Sequence, residues 1–144
     1  MSSPQFFAYQ KQGQVLQKEL WYSQSVRVGD RIEISGQGGW DPETGVMKTD
    51  PLEEIDQAFA NVDLALRDAG GKGWPQVYKV TAYIVDSYFV DEAFLGHFIE
   101  GMKKWMPNHQ PLLTGIGVAK LGAGSSAGMR IEIEVSANDP EGKN

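Results

Sequence analysis

Glu132 and Glu134 stand two residues apart in Met129–Ala137 (MRIEIEVSA), a stretch that alternates polar and apolar residues strictly. As a strand, that stretch puts both carboxylates on one face, about 7 Å apart. On a solvated face they are ordinary surface charges. On a face covered by another subunit, desolvation raises a carboxyl's pKa and suits it to hold or activate a water as general acid or base. Ser35-Gly36 follows a strand-like run, where exposed hydroxyls often function, but no G-x-S-x-G elbow surrounds it. His97 falls on a helix pattern near its apolar face and His109 in a Pro-flanked loop. Both read as packed or surface histidines rather than bases of a Ser-His-Asp set. The glycine clusters Gly36-Gln37-Gly38-Gly39 and Gly115-Ile116-Gly117 match neither G-x-G-x-x-G nor a P-loop, and read as turn-permitting glycines. Trp40, in the first of these clusters, either packs its loop or walls a cleft beside Ser35. Trp105, at the end of a helix pattern, reads as core or interface.

The 144 residues suit one domain, with 41% hydrophobic and 22% charged residues as in ordinary globular chains. Zero cysteines exclude disulfides, thiolate zinc sites and cysteine nucleophiles. Two histidines exclude a multi-histidine metal site. A net charge of −6 argues against nucleic acid as a partner, because phosphate binding needs clustered Lys and Arg. Residues 1–10 lack a basic start and a long apolar run, and no stretch approaches the roughly 20 apolar residues of a membrane span. A cytoplasmic protein is the expectation.

Gly13–Leu20 reads as a weak strand. Ser25–Val28 and Arg31–Ser35, joined by Gly29-Asp30, read as a hairpin. Asp50-Pro51-Leu52-Glu53 starts a helix: Asp50 caps it, Pro51 suits its first position and Glu53 completes a capping-box pattern. Leu52, Ile55, Phe59, Val62, Leu66 and Ala69 make its apolar stripe, and Gly70-Gly71 ends it. Val77–Val85 reads as a strand. Val90, Phe94, Phe98, Gly101 and Trp105 mark a second helix, with Pro107 beyond. Pro111–Leu121 holds another strand, Gly122–Gly128 a flexible loop, Met129–Ala137 the last strand, and 138–144 a disordered tail. This order predicts an α+β domain: a mostly antiparallel sheet with two helices on one face. The opposite face is left for water or for a partner copy of the chain.

Tyr22-Ser23-Gln24 followed by Ile34-Ser35-Gly36-Gln37 resembles the Rid (reactive intermediate deaminase) family, also known as YjgF or L-PSP endoribonuclease. The resemblance continues through Asp41-Pro42-Glu43-Thr44-Gly45, Ala60-Asn61-Val62, Ala69-Gly70, Val77, Lys79-Val80 and Asp86 to Ile131-Glu132-Ile133-Glu134 before Ala137. It implies a single Rid-like domain over residues 1–144, a chorismate-mutase-like fold, and a homotrimer with small-molecule clefts at its subunit boundaries. It also implies hydrolysis of imines or enamines to ketoacids and ammonia without a cofactor or metal. By motif, Glu132 is the catalytic residue associated with the attacking water, and Tyr22 and Ser35-Gly36 line the cleft.

The family's Pro-x-Arg falls on Pro111-Leu112-Leu113, so Leu113 stands at the arginine position, with Thr114 and the small-residue position Gly115 after it. Leucine cannot give the bidentate, charge-assisted grip that arginine gives a carboxylate. Lys120, His109 and Arg130 are substitutes by sequence proximity only. Three readings stay open: a hydrolase or deaminase of altered substrate class, a small-molecule-binding member without chemistry, and a ribonuclease or translation inhibitor, disfavoured by the acidic charge. Trp40 with Leu113 points to a more apolar ligand than a plain amino-acid imine.

Overall fold

A computed structural model describes residues 3–123 and 126–140. Its elements run β1 (Gln5–Phe7), α1 (Gln12–Leu20), β2 (Ser25–Val28), β3 (Arg31–Ile34), α2 (Pro51–Asp68), a 3-10 turn (Trp74–Gln76), β4 (Val77–Val85), a single-turn α3 (Asp86–Phe89), α4 (Glu92–Trp105), β5 (Leu112–Val118) and β6 (Ile131–Asn138). One six-stranded sheet has the order β1-β2-β3-β6-β4-β5. Every pair is antiparallel except β4–β5, which is parallel and bridged by α4. A parallel neighbour requires such a crossover, whereas β2 and β3 need only Gly29-Asp30, where Gly29 has φ 62°.

α2 begins as its residues dictate: the Asp50 carboxylate accepts from the backbone N–H of Leu52 (3.1 Å) and Glu53 (3.0 Å). Ile55, Phe59, Val62 and Leu66 are fully buried against Ile131, Ile133 and Val135 of β6 and Val80 and Ala82 of β4. Phe94 and Phe98 of α4 close the same core, and Trp74 packs at a tilt against Phe59 with its Nε1 donating to the Phe59 carbonyl. Ile131, Ile133 and Val135 alternate with half-buried Glu132, Glu134 and Ser136. No helix is long and apolar enough to cross a membrane among the described residues.

Three expectations change and one strand is new. Gly13–Leu20 is helix, not strand: only Val15 is β-branched, and Gln12, Leu16 and Leu20 share a helical face. Phe6 and Phe7 form part of edge strand β1. Val90 is exposed and precedes the Asp91 cap of α4. The expected disordered tail is ordered at its start: Asn138 closes β6 and buried Asp139 pairs with Arg27 at 2.6 Å. Residues 141–144 lie outside the described residues.

Candidate functional site

β6 aims Glu132 at the loop that leaves β3. There Gln37 and Ile133 exchange backbone hydrogen bonds of 2.8 and 2.9 Å, which bring Gly36 under the Glu132 side chain. A methyl group on Gly36 would lie 2.6 Å from both Cγ and Cδ of Glu132. Gly36, Gly38 and Gly39 have no positive φ, so close approach of neighbours, not turn permissiveness, explains them. Asn61 holds the loop from below: its Nδ2 donates to the carbonyls of Gly38 (2.8 Å) and Trp40 (2.7 Å), and Gln57 fixes its Oδ1.

Burial pushes the Glu132 carboxyl above its ordinary range, and the Glu134 charge adds to the rise. Its carboxylate accepts no hydrogen bond from the described residues. Tyr22 is raised in the same way by burial, opposed by its interaction with Gln24 and reinforced by the Glu132 charge. Tyr22 and Glu132 line one cavity of about 720 Å³, bounded also by α1, the 40–47 loop, Gly122, Ala123, Ser126 and Met129. Trp40 also lines it, 4% exposed, its Nε1 donating to the Tyr9 hydroxyl at 2.9 Å. That hydroxyl donates to Gln37 Oε1, and Gln37 Nε2 donates to Gln24 Oε1. A buried polar chain therefore runs from the wall at Trp40 to the neighbour of Tyr22. Tyr9, Gln24 and Gln37 support the site without standing out in the sequence. A tyrosine and two glutamines far apart in the chain give no local signal.

Ser35 is next to Gly36, but its hydroxyl donates to the Ser23 carbonyl at 2.7 Å and so holds the Tyr22 loop. Leu113, Thr114 and Gly115 lie on edge strand β5 and line no part of this cavity within the chain. The candidate substitutes for the missing arginine are placed elsewhere. Arg130 NH1 pairs with buried Glu54 at 2.5 Å, and its backbone N–H donates to the same carboxylate. His109 Nε2 lies 2.7 Å from the Val77 carbonyl, and Lys120 is exposed outside the cavity lining.

The sequence model described as Endoribonuclease L-PSP matches residues 13–138, most of the chain and every element from α1 to β6. The chain belongs to the endoribonuclease L-PSP family. This is the Rid or YjgF family of the resemblance. Within the L-PSP family it is 34% identical over 114 residues to the 2-iminobutanoate/2-iminopropanoate deaminase of Dermatophagoides farinae, covering 78% of this chain and 81% of that one. It is 46% identical over 65 residues to a RutC family protein of Aquifex aeolicus. That match spans 45% of this chain and about half (51%) of the relative's length. Among solved structures, the L-PSP fold matches protein YJGH with a TM-score of 0.76 and 27% identity, covering 94% of this chain and 95% of that one.

Proposed function

We propose that this chain hydrolyses a C=N or enamine bond without a cofactor, at a site built on Glu132. The observation that carries the reading is the Glu132 carboxyl held over Gly36, half-buried and raised in pKa by that burial. As base it takes a proton from a water, whose oxygen bonds to the imine carbon while the C=N π pair moves to nitrogen. Returned to that nitrogen, the proton completes the carbinolamine; Glu132 then carries the hydroxyl proton to the nitrogen, the oxygen lone pair forms the carbonyl and the C–N bond breaks to release ammonia. Tyr22, Ser35, Gly36 and Trp40 shape the pocket. The name of the mite relative, an iminobutanoate deaminase, supports the reaction class.

The same reading makes residues 1–144 one domain of a cytoplasmic, chorismate-mutase-like homotrimer, with Leu113, Thr114 and Gly115 entering a neighbour's cleft. The uncovered sheet face supports this: across it Tyr83 Oη donates to Glu134 at 2.7 Å and Ser136 Oγ donates to Glu33, which also pairs with Arg31. Leu112 on β5 is 68% exposed. Leu113 in place of the arginine favours a second reading, a ligand-binding trimer without turnover. Ammonia release from freshly generated imines separates the two. Acceleration by the wild type that Glu132→Gln abolishes supports the hydrolase, whereas saturable binding with no acceleration removes it.

A further inference from the structure

The cavity beside Glu132 has a floor separate from the main core. Leu16 of α1, Trp40 and Met129 form their own buried cluster. Its rim is apolar as well: Val15, Leu20 and Val46 all line it and are 42%, 64% and 66% exposed. Single exposed apolar residues need no explanation. Three around one concave mouth, contributed by a helix and a loop, are the ordinary lining of a ligand pocket.

The charges in this cavity have one sign. Glu19 lines it on the α1 side and Glu132 on the β6 side, and no Lys, Arg or His among the described residues lines it. An anion entering it would meet two carboxylates and no cationic side chain among the described lining residues, while a cation would neutralise one as it is desolvated. The family's carboxylate anchor is absent at Leu113, and Arg130 is committed to Glu54.

From this charge pattern we infer that the pocket between α1 and the 40–47 loop takes a hydrophobic cation: an iminium, or its parent ammonium, with an aliphatic or aryl substituent and no carboxylate. The cationic nitrogen lies toward Glu132, and the substituent lies on Leu16, Trp40 and Met129 under the Val15–Leu20–Val46 rim. This rests on Glu132 marking the reacting end of the site. α1, expected as a strand, is then the element that sets substrate class.

The test compares 2-phenylethylammonium with 3-phenylpropionate, similar in shape and opposite in charge, by calorimetry on the full chain. The ammonium should bind at least tenfold more tightly. Glu19→Lys, an exposed position that the fold tolerates, should shrink or invert that ratio. Val46→Ser should weaken the ammonium severalfold. Equal or tighter carboxylate binding, or a ratio unmoved by Glu19→Lys, overturns the assignment. So does a Val46→Ser or Leu20→Ser chain whose sedimentation mass falls below that of the wild type, because the rim would then be a contact between copies. Charge-selective binding without turnover of any imine would leave this assignment standing and remove the hydrolase. Hydrolysis of carboxylated imines with no preference for the ammonium would do the reverse.

Discussion

Gly36 lies directly under the Glu132 side chain: a β-carbon at Gly36 would sit 2.6 Å from the glutamate's Cγ and Cδ and 2.9 Å from its Oε1. The contact is with the far part of one side chain, not with backbone. Gly36→Ala is therefore expected to fold, with its circular dichroism unchanged, while the carboxyl swings aside. A displacement of about 1 Å at a reacting group costs on the order of a hundredfold in rate. Ammonia release by Gly36→Ala at the wild-type rate would show that the carboxyl's position over Gly36 does not matter.

The raised Glu132 carboxyl sets a pH limb. Turnover needs the ionised base, so the rate should climb with pH through a titration above the ordinary carboxylate range of about 4.3. Burial is the larger cause and the Glu134 charge the smaller. Glu134→Gln removes one negative neighbour, so the limb should move to lower pH without vanishing. For stability the sign is opposite: the folded state holds that proton more tightly, so its contribution is present at low pH and lost as pH rises through the folded pKa. A rate profile identical in wild type and Glu134→Gln would contradict the coupling.

Leu113 is half exposed on edge strand β5, so an arginine can replace it without filling the core. If β5 of one copy completes the cleft of another, Leu113→Arg should raise kcat/KM for carboxylated imines about tenfold to a hundredfold, the worth of a charge-assisted grip. Neutral imines should gain nothing. An equal change for both substrate classes would place Leu113 away from the substrate.

Arg27 and Asp139 tie the end of β6 to β2. The Arg27 Nε also donates to the Ala69 carbonyl, and Gln76 donates to the Asp139 carboxylate. Burial works to raise the Asp139 pKa, but the hydrogen bonds from Arg27 and Gln76 and the Arg27 charge outweigh it, and the net shift is downward. The contribution is present above the unfolded value and lost as pH falls through the folded one. Asp139→Ala leaves a buried guanidinium without its partner and should cost about 3 kcal/mol in urea unfolding. A loss near zero would mean that solvent satisfies Arg27.

Much of the frame was legible in the order of residues. Asp50-Pro51 and the stripe from Ile55 to Leu66 announce α2 because cap and periodicity are local properties. The alternation of Ile131 to Val135 separates the core face of β6 from the face that carries Glu132. The Tyr22, Ser35-Gly36 and Glu132 motifs pointed to the family, because short spaced signatures survive where overall identity is low.

Other features were decided only when distant segments met. Eight residues of GQVLQKEL satisfy a weak strand reading, and they become helix because Leu16 finds Trp40 and Met129, more than twenty residues away. Whether β5 runs parallel to β4 depends on how α4 crosses the sheet. Asp139 looked like part of a polar tail until Arg27, 112 positions earlier, lay against it. The same holds for the cavity. Local sequence names a glutamate and a tryptophan, but the sign of its charge and the apolar rim around it exist only once α1, the 40–47 loop and β6 converge. Propensity, capping and alternation act between neighbours in the chain, whereas burial and electrostatics act between neighbours in space.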